Sequence, residues 1–346
     1  VSLSAGELIE KSQLGQLEYI AEGGQGRIYR CPSLRLRDFA HPVAYKEFKS
    51  GQLASSGLEA VVAVRTRMND RDRDLLDTHA TWPIRLVRDQ GRVVGLLMPL
   101  IPDSFVQVGR SITGSAMRKE REIQYLFLGA ARCAKLGFPL VNLHQRFAIC
   151  EGLARVFALL HAHNVVFGDL NAKNALFRVG PGRQDADVML VDCDAVRVRG
   201  TMSAVPQLNT PDWEPPAAER TQLTHQTDVY KYALFVLRCL SPGTNASTAR
   251  DPRRVSNVLD ADGQALLSAS FSQTPAQRPS AEQWASYFAR LRSSSGAQTP
   301  SAAPAPAATQ APPVAPGRQS STATPAPAGP SGWVRTPSGE WVRARG

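Results

Sequence analysis

Three side chains in the middle of the chain set the first chemical question. The stretch FGDLNAKN puts Asp169 and Asn174 five residues apart, in a loop after a long segment with a broad apolar face. VMLVDCD then puts Asp192 at the end of a short apolar strand. Transfer of a phosphoryl group to a hydroxyl uses groups of these types. One carboxylate orients the attacking hydroxyl and accepts its proton. An amide oxygen and a second carboxylate, both hard donors, hold Mg²⁺ against phosphate oxygens. Asp and Asn also sit in ordinary turns, where they bond their own backbone. Their order, spacing and flanking strand ask for more than a turn.

Two upstream signals fit the same chemistry. VAYK places Lys46 at the end of a strand pattern, with Ala44 and Lys46 on one face and Val43 and Tyr45 on the other. A lysine there can reach phosphate oxygens. Glu59, on the helical segment that follows, is the candidate to hold it, since Glu47 points to the opposite face. Ahead of the lysine, IAEGGQGRIY carries Gly23 and Gly26 between two strands. Glycine lets backbone approach a phosphate closely, though two glycines between strands are equally a plain hairpin.

The elements that must position these groups fall into two patterns. LGQLEYIAE, GRIYRCP and PVAYKEF read as strands, SGLEAVVAVRTRM as a helix, and TWPIRLVRDQGRVVGLLMPLI as two strands around an Asp89–Gln90–Gly91 turn. From about Pro102 the periodicity becomes helical. AMRKEREIQYLFLGAARCAKLG, LHQRFAICEGLARVFALLHAHN, TDVYKYALFVLRCL, DADGQALLSASF and SAEQWASYFARLR are the candidates. Strands first and helices after imply an α+β fold with two lobes rather than an alternating βαβ sheet.

Composition sets outer limits. The chain has 346 residues, 43% of them hydrophobic, and a net charge of +10 carried mostly by Arg. The charges are dispersed and often paired, as in RMNDRDRDLLD, and no basic run carries interleaved aromatics, so nucleic acid is not an expected partner. Five scattered cysteines without a CxxC pair read as reduced thiols in a cytoplasmic protein. No apolar run is long enough to span a bilayer, and VSLSAGELIEKS lacks the order of a secretion signal. The first residue is Val1 rather than Met, which reads as a piece of a longer protein. From residue 293 the sequence is Pro, Ala, Ser and Thr with almost no large apolar side chain, and a disordered tail is expected over 293–346. Its end repeats Trp-Val-Arg at Trp333 and Trp341 around a PSG turn, which fits a small hairpin or docking motif.

Taken in order, the Gly loop, VAYK, GDLNAKN, VDCD, TPDWEPPA, TDVYKYALF and AQRPS resemble eukaryotic-like Ser/Thr protein kinases over about residues 15–292. Within them the chain is similar to the divergent bacterial branch often encoded beside von Willebrand A and PP2C-type phosphatase proteins. The resemblance implies an N-lobe over 1–101 and a C-lobe over 102–292. It implies ATP with Mg²⁺ or Mn²⁺ as cofactor, a protein substrate, and a phosphatase or von Willebrand A protein as partner. By motif, Asp169 is the catalytic base, Lys46 the phosphate lysine and Glu59 its helix partner. Asn174 and Asp192 are the metal ligands. Gly23, Gly24, Gly26, Ile28, Ala44, Lys46 and Met98 line the nucleotide site. Asp228 matches the Asp that braces the catalytic loop, and Arg278 the Arg that usually pairs with the Glu of APE.

The departures from the family pattern are specific. Ala21 replaces the first loop glycine. HRD reads Phe167–Gly168–Asp169, so the loop offers no Arg to an activation-loop phosphate. Asn171 stands where a Lys usually follows the base. DFG reads Asp192–Cys193–Asp194. APE reads Pro215–Pro216–Ala217, which leaves Glu219 as the candidate partner of Arg278. These changes keep two alternatives open: a pseudokinase that serves as a binding module, and a small-molecule kinase of the aminoglycoside or choline type, whose HGDxxxxN loop GDLNAKN also resembles.

Overall fold

Alternating apolar residues in the first hundred positions become a six-stranded sheet. Its strands are β1 (Leu8–Glu10), β2 (Glu18–Glu22), β3 (Gly26–Arg30), β4 (Val43–Phe48), β5 (Arg85–Asp89) and β6 (Arg92–Pro99), in the order β1-β5-β6-β4-β3-β2. β1 runs parallel to β5, and every other neighbouring pair is antiparallel. Gln90 and Gly91, with φ of 49° and 79°, make the tight turn between β5 and β6 that the Asp-Gln-Gly signal predicts. The computed structural model describes residues 7–24, 26–49, 55–110, 116–201, 210–296, 333–335 and 341–343.

The middle of the sheet is covered on both faces, which is why the first four residues of β4 are buried. Val43 and Tyr45 pack with Leu14, Phe39, Ile84 and Leu97 on one face. On the other, Leu86 and Leu96 pack with Leu58 and Val62 of α1 (Ser55–Arg67). The next helix, α2 (Asp70–His79), is hidden in RMNDRDRDLLD, which reads as paired surface charge. Asn69 starts it by accepting the Asp72 backbone N–H at 2.9 Å. Its Asp77 binds the buried Arg65 of α1 through two hydrogen bonds of 2.7 and 2.6 Å.

One expected helix is not there. AMRKEREIQYLFLGAARCAKLG divides into β8 (Ala116–Glu120), paired antiparallel with β7 (Val106–Arg110), then a 3-10 turn over Ile123–Phe127, then the short α3 (Ala130–Lys135). Tertiary backbone pairing overrides the helical propensity. The Arg121 N–H donates to Phe105 and its carbonyl accepts from Phe177, while the Gln124 N–H donates to Ala172. A backbone spent on these partners cannot close helical rings.

The helices that follow match the apolar periodicity. They are α4 (Leu143–Ala162), α5 (His225–Leu240), α6 (Ala261–Ser270) and α7 (Ala281–Gly296), packed around Phe157, Tyr232, Phe235, Trp284 and Phe288. α7 continues past Arg292, into the stretch expected to be tail. Between α4 and α5 lie β9 (Val165–Val166), β10 (Ala175–Val179), β11 (Ala186–Leu190) and β12 (Arg197–Val198), paired as β10 with β11 and β9 with β12. A strand-rich sheet followed by helices makes this an α+β chain.

The chain divides into two units, Val1–Thr299 and Pro300–Gly346. In the second, β13 (Trp333–Arg335) pairs antiparallel with β14 (Trp341–Arg343), Val334 opposite Val342. The rest of the Pro-, Ala- and Ser-rich stretch expected to be disordered lies outside the described residues. Among the described residues, no helix is long and apolar enough to cross a membrane.

Candidate active site

The register of the sheet gathers one set of side chains. Ile28 of β3 lies opposite Lys46 of β4, and Ala44 lies opposite Met98 of β6. Directly opposed residues share a face, so Ile28, Ala44, Lys46 and Met98 stand on one side of the sheet. The Gly23 N–H donates to the Gly26 carbonyl at 2.8 Å in the turn between β2 and β3. Gly26 has a packing reason to be glycine: an added Cβ would lie 2.1 Å from the Glu47 carbonyl oxygen. Gly23 and Gly24 have open space around them, so packing does not explain either.

Lys46 is 5% exposed, and the carboxylate that holds it belongs to Asp194. Nζ donates to both Asp194 oxygens, at 2.9 and 2.8 Å, and lies 3.5 Å from Asp192. The sequence proposes Glu59 as the partner of Lys46; the described Nζ hydrogen bonds go to Asp194. Burial pulls the Lys46 pKa down, but the Asp194 and Asp192 charges outweigh it and leave it above the ordinary lysine value. Asp192 sits in the left-handed region, with φ 55° and ψ 42°. A non-glycine residue in that region is strained, and such strain collects at functional positions.

The GDLNAKN loop folds around Asp169. Asn174 Nδ2 donates to the Asp169 carbonyl and to its Oδ2, both at 2.9 Å. This leaves the Asn174 amide oxygen as the atom for a cation. The Val191 N–H donates to the Asn174 carbonyl at 3.0 Å, continuing the β10–β11 ladder. Asn174 and Asp192 therefore leave the same end of that hairpin. An amide oxygen and a largely exposed carboxylate suit Mg²⁺, whose remaining ligands would be water and phosphate. Among the described residues, no three His, Cys, Asp or Glu side chains are arranged as a metal site by themselves.

The loop is braced from beneath by α5. The fully buried Asp228 accepts the Phe167 and Gly168 backbone N–H groups at 2.8 and 2.7 Å, and the His161 ring lies 3.2 Å from it. Lys231, one turn further along, donates to the Gly168 carbonyl at 2.7 Å. Gly168 has φ 77°, so an Arg in its place would be strained. Arg278 binds Glu219 at 2.9 and 2.6 Å, as the sequence proposes.

No protein-family model matches the chain, and no curated protein matches it. The assignment of function therefore rests on the residues themselves.

Sequence reasoning misses three of them. Asp194 reads there as a substitution for glycine, not as the lysine's anchor. Thr210 donates to Asp169 Oδ1 at 3.4 Å from the TPDWEPPA segment. Lys231 is one letter inside an apolar helix. Burial raises the Asp169 pKa above its ordinary value, opposed by Asn171, Lys231, Thr210 and Asn174. Burial in turn lowers the Lys231 pKa, opposed by Asp169, Asp228 and Glu214. A lysine on the core side of a helix next to a bracing Asp is the available signal.

Proposed function

We propose that the chain is an ATP-dependent phosphotransferase with a protein-kinase-like architecture, and that it acts on Ser or Thr hydroxyls of proteins. The observation that carries this reading is the arrangement around Asp169. A half-buried carboxylate is fixed by Asn174, approached by Thr210 and underpinned by α5. Asp192 follows Val191, whose N–H binds the Asn174 carbonyl at the end of the β10–β11 hairpin. Lys46 reaches the same turn from the sheet.

In this reading the apolar face of Ile28, Ala44 and Met98 receives the adenine, and Lys46 neutralises the phosphates. Asn174 and Asp192 hold Mg²⁺, which shields phosphate charge when bound. Asp169 Oδ1 orients the acceptor hydroxyl and takes its proton as the oxygen attacks the γ-phosphorus. The bond from that phosphorus to the β–γ bridging oxygen breaks, and ADP leaves. Positioning and charge neutralisation supply most of the rate. Thr210 supports a peptide acceptor, because it brings the TPDWEPPA segment onto the base.

The test is incubation with Mg·ATP and a generic basic protein, read by intact mass. Mass gains in the wild type that are absent from Asp169→Asn and Asp192→Asn are expected. No gain on either protein, under conditions where the chain is folded, would overturn the reading.

A further inference from the structure

Away from Lys46 and Asp169 lies a partly open pocket of about 570 Å³. Its walls come from β12, from the turn that follows it, and from the first turn of α5. Arg197, Arg199 and His225 line it, together with the hydroxyl-bearing Thr201 and Thr224. No carboxylate does, among the described residues that line it. Two arginines and an imidazole line one space with no acid among its described lining residues.

Two atoms of this lining, Arg197 Nε and His225 Nε2, are buried without a hydrogen-bond partner among the described residues. Buried polar atoms ordinarily have a partner, because leaving one unmatched forfeits its hydration without replacement. Neither Arg197 nor Arg199 has an ion pair among the described residues, whereas Arg65, Arg178 and Arg278 each bind acids. His225 also stacks on His161, with ring centroids 4.3 Å apart. Burial first, then the neighbouring His161, and further on Arg199, hold its pKa below the ordinary histidine value, against Asp228.

From this geometry we infer that the cavity is a binding site for a phosphate-type dianion, gripped by Arg197, Arg199 and His225. Guanidinium groups pair with phosphate oxygens in two-point bonds, and an imidazole adds a third donor. Position 168 is glycine, so the catalytic loop offers such an anion nothing, and the cations come from β12 and α5 instead. An occupant would tie two elements that both touch the Asp169 loop. β12 pairs with β9, whose Val166 lines the cavity and stands three residues before Asp169. α5 carries Asp228 three residues after His225. The inference does not depend on phosphotransfer, because it concerns residues outside that site.

The anion could be free in solution or carried on a phosphorylated side chain, and two probes separate the sources. The full chain, in chloride buffer of constant ionic strength, is titrated calorimetrically with inorganic phosphate and with N-acetyl-phosphothreonine methylamide. Arg197→Gln, Arg199→Gln and the distant control Arg253→Gln are titrated alongside. Saturable binding of either probe is expected, weakened about tenfold or more by the first two changes and unaltered by the third. Binding of phosphate identifies a free anion, and binding of the phosphothreonine probe alone identifies a chain-borne one. Arg199 is exposed, so its variant should keep the wild-type melting temperature and stay informative if Arg197→Gln does not fold. No saturable binding, or equal binding by all variants, would overturn the inference. Equal binding would mean only that anions screen the net charge of +10.

Discussion

Asp194 grips Lys46 with both carboxylate oxygens, and both residues are about 5% exposed or less. The pair is buried, so the two partners are not interchangeable with solvent. Removing Asp194 takes away the buried counter-charge of Lys46 and leaves the largely exposed Asp192 at 3.5 Å; breaking a buried pair typically costs about 3–5 kcal/mol. Asp194→Ala should therefore lower stability to urea by about 3 kcal/mol or more, while Glu59→Ala should cost about 1 kcal/mol or less. ATP affinity should follow the same order. A Glu59 variant that loses ATP binding as severely as the Asp194 variant would refute the assignment of Asp194 as the anchor.

The environment of Asp169 sets a pH profile. A general base works deprotonated, so turnover should fall on the acid side, with a midpoint above the ordinary 3.8 of aspartate because burial raises its pKa. Thr210 and Lys231 both oppose that rise. Thr210→Ala and Lys231→Met should each move the acid limb to higher pH, and a kcat profile reads the shift. Asp169→Asn should reduce kcat by at least about a hundredfold with ATP binding intact. An acid limb that stays fixed in both neighbour variants would show that Asp169 is not the titrating base.

Asp228 is a heavily committed acid in the molecule's interior. It accepts the Phe167 and Gly168 backbone N–H groups of the Asp169 loop, and the His161 ring is beside it. Asp228→Ala strands those donors and removes one of the counter-charges of Lys231. A loss of about 3 kcal/mol or more is expected in urea unfolding. Asp228→Asn can still accept hydrogen bonds and should recover part of that loss. An alanine variant as stable as wild type would contradict the brace.

A separate pair gives stability its own pH dependence. His79 Nδ1 lies 3.1 Å from Asp187. Burial opposes the imidazolium, but Asp187 outweighs it and raises the pKa above 6.5. The His79 contribution is therefore complete below 6.5 and is lost as pH rises through the raised folded value. For Asp187, burial is again outweighed by its partners and the pKa is lowered, so its contribution is present above 3.8 and is lost as pH falls through the depressed folded value. Thermal unfolding should show a falling melting temperature above pH 6.5, and His79→Gln should flatten that limb. An unchanged slope in the variant would assign it elsewhere.

What the sequence reveals follows from how local each cause is. Strands β2 to β6 and helices α1 and α4 to α7 announce themselves by apolar period. Asp169, Asn174 and Asp192 stand out because loop and strand-end positions expose them in the pattern. The failures are cases where distant backbone decides. The segment from Ala116 onward is built like a helix, yet Arg121 and Gln124 are taken by Phe105, Phe177 and Ala172. Asp194 looks like a lost glycine because its partner is 148 residues away in the chain. Likewise the cavity of Arg197, Arg199 and His225 has no sequence signature, since its charges come from two separate elements.

That separation also dictates when the site can come into being. Lys46 is made early, but Asp194, Asp169 and the bracing Asp228 and Lys231 lie between residues 169 and 231. During synthesis from the N-terminus the sheet can pair and cover itself with α1 while Lys46 still has no acid to meet. Only after α5 has left the ribosome can the loop be fixed and the turn at Asp192–Asp194 close onto the sheet. A nascent chain halted before that point carries the sheet and Lys46 without the Asp194 that binds it in the finished fold.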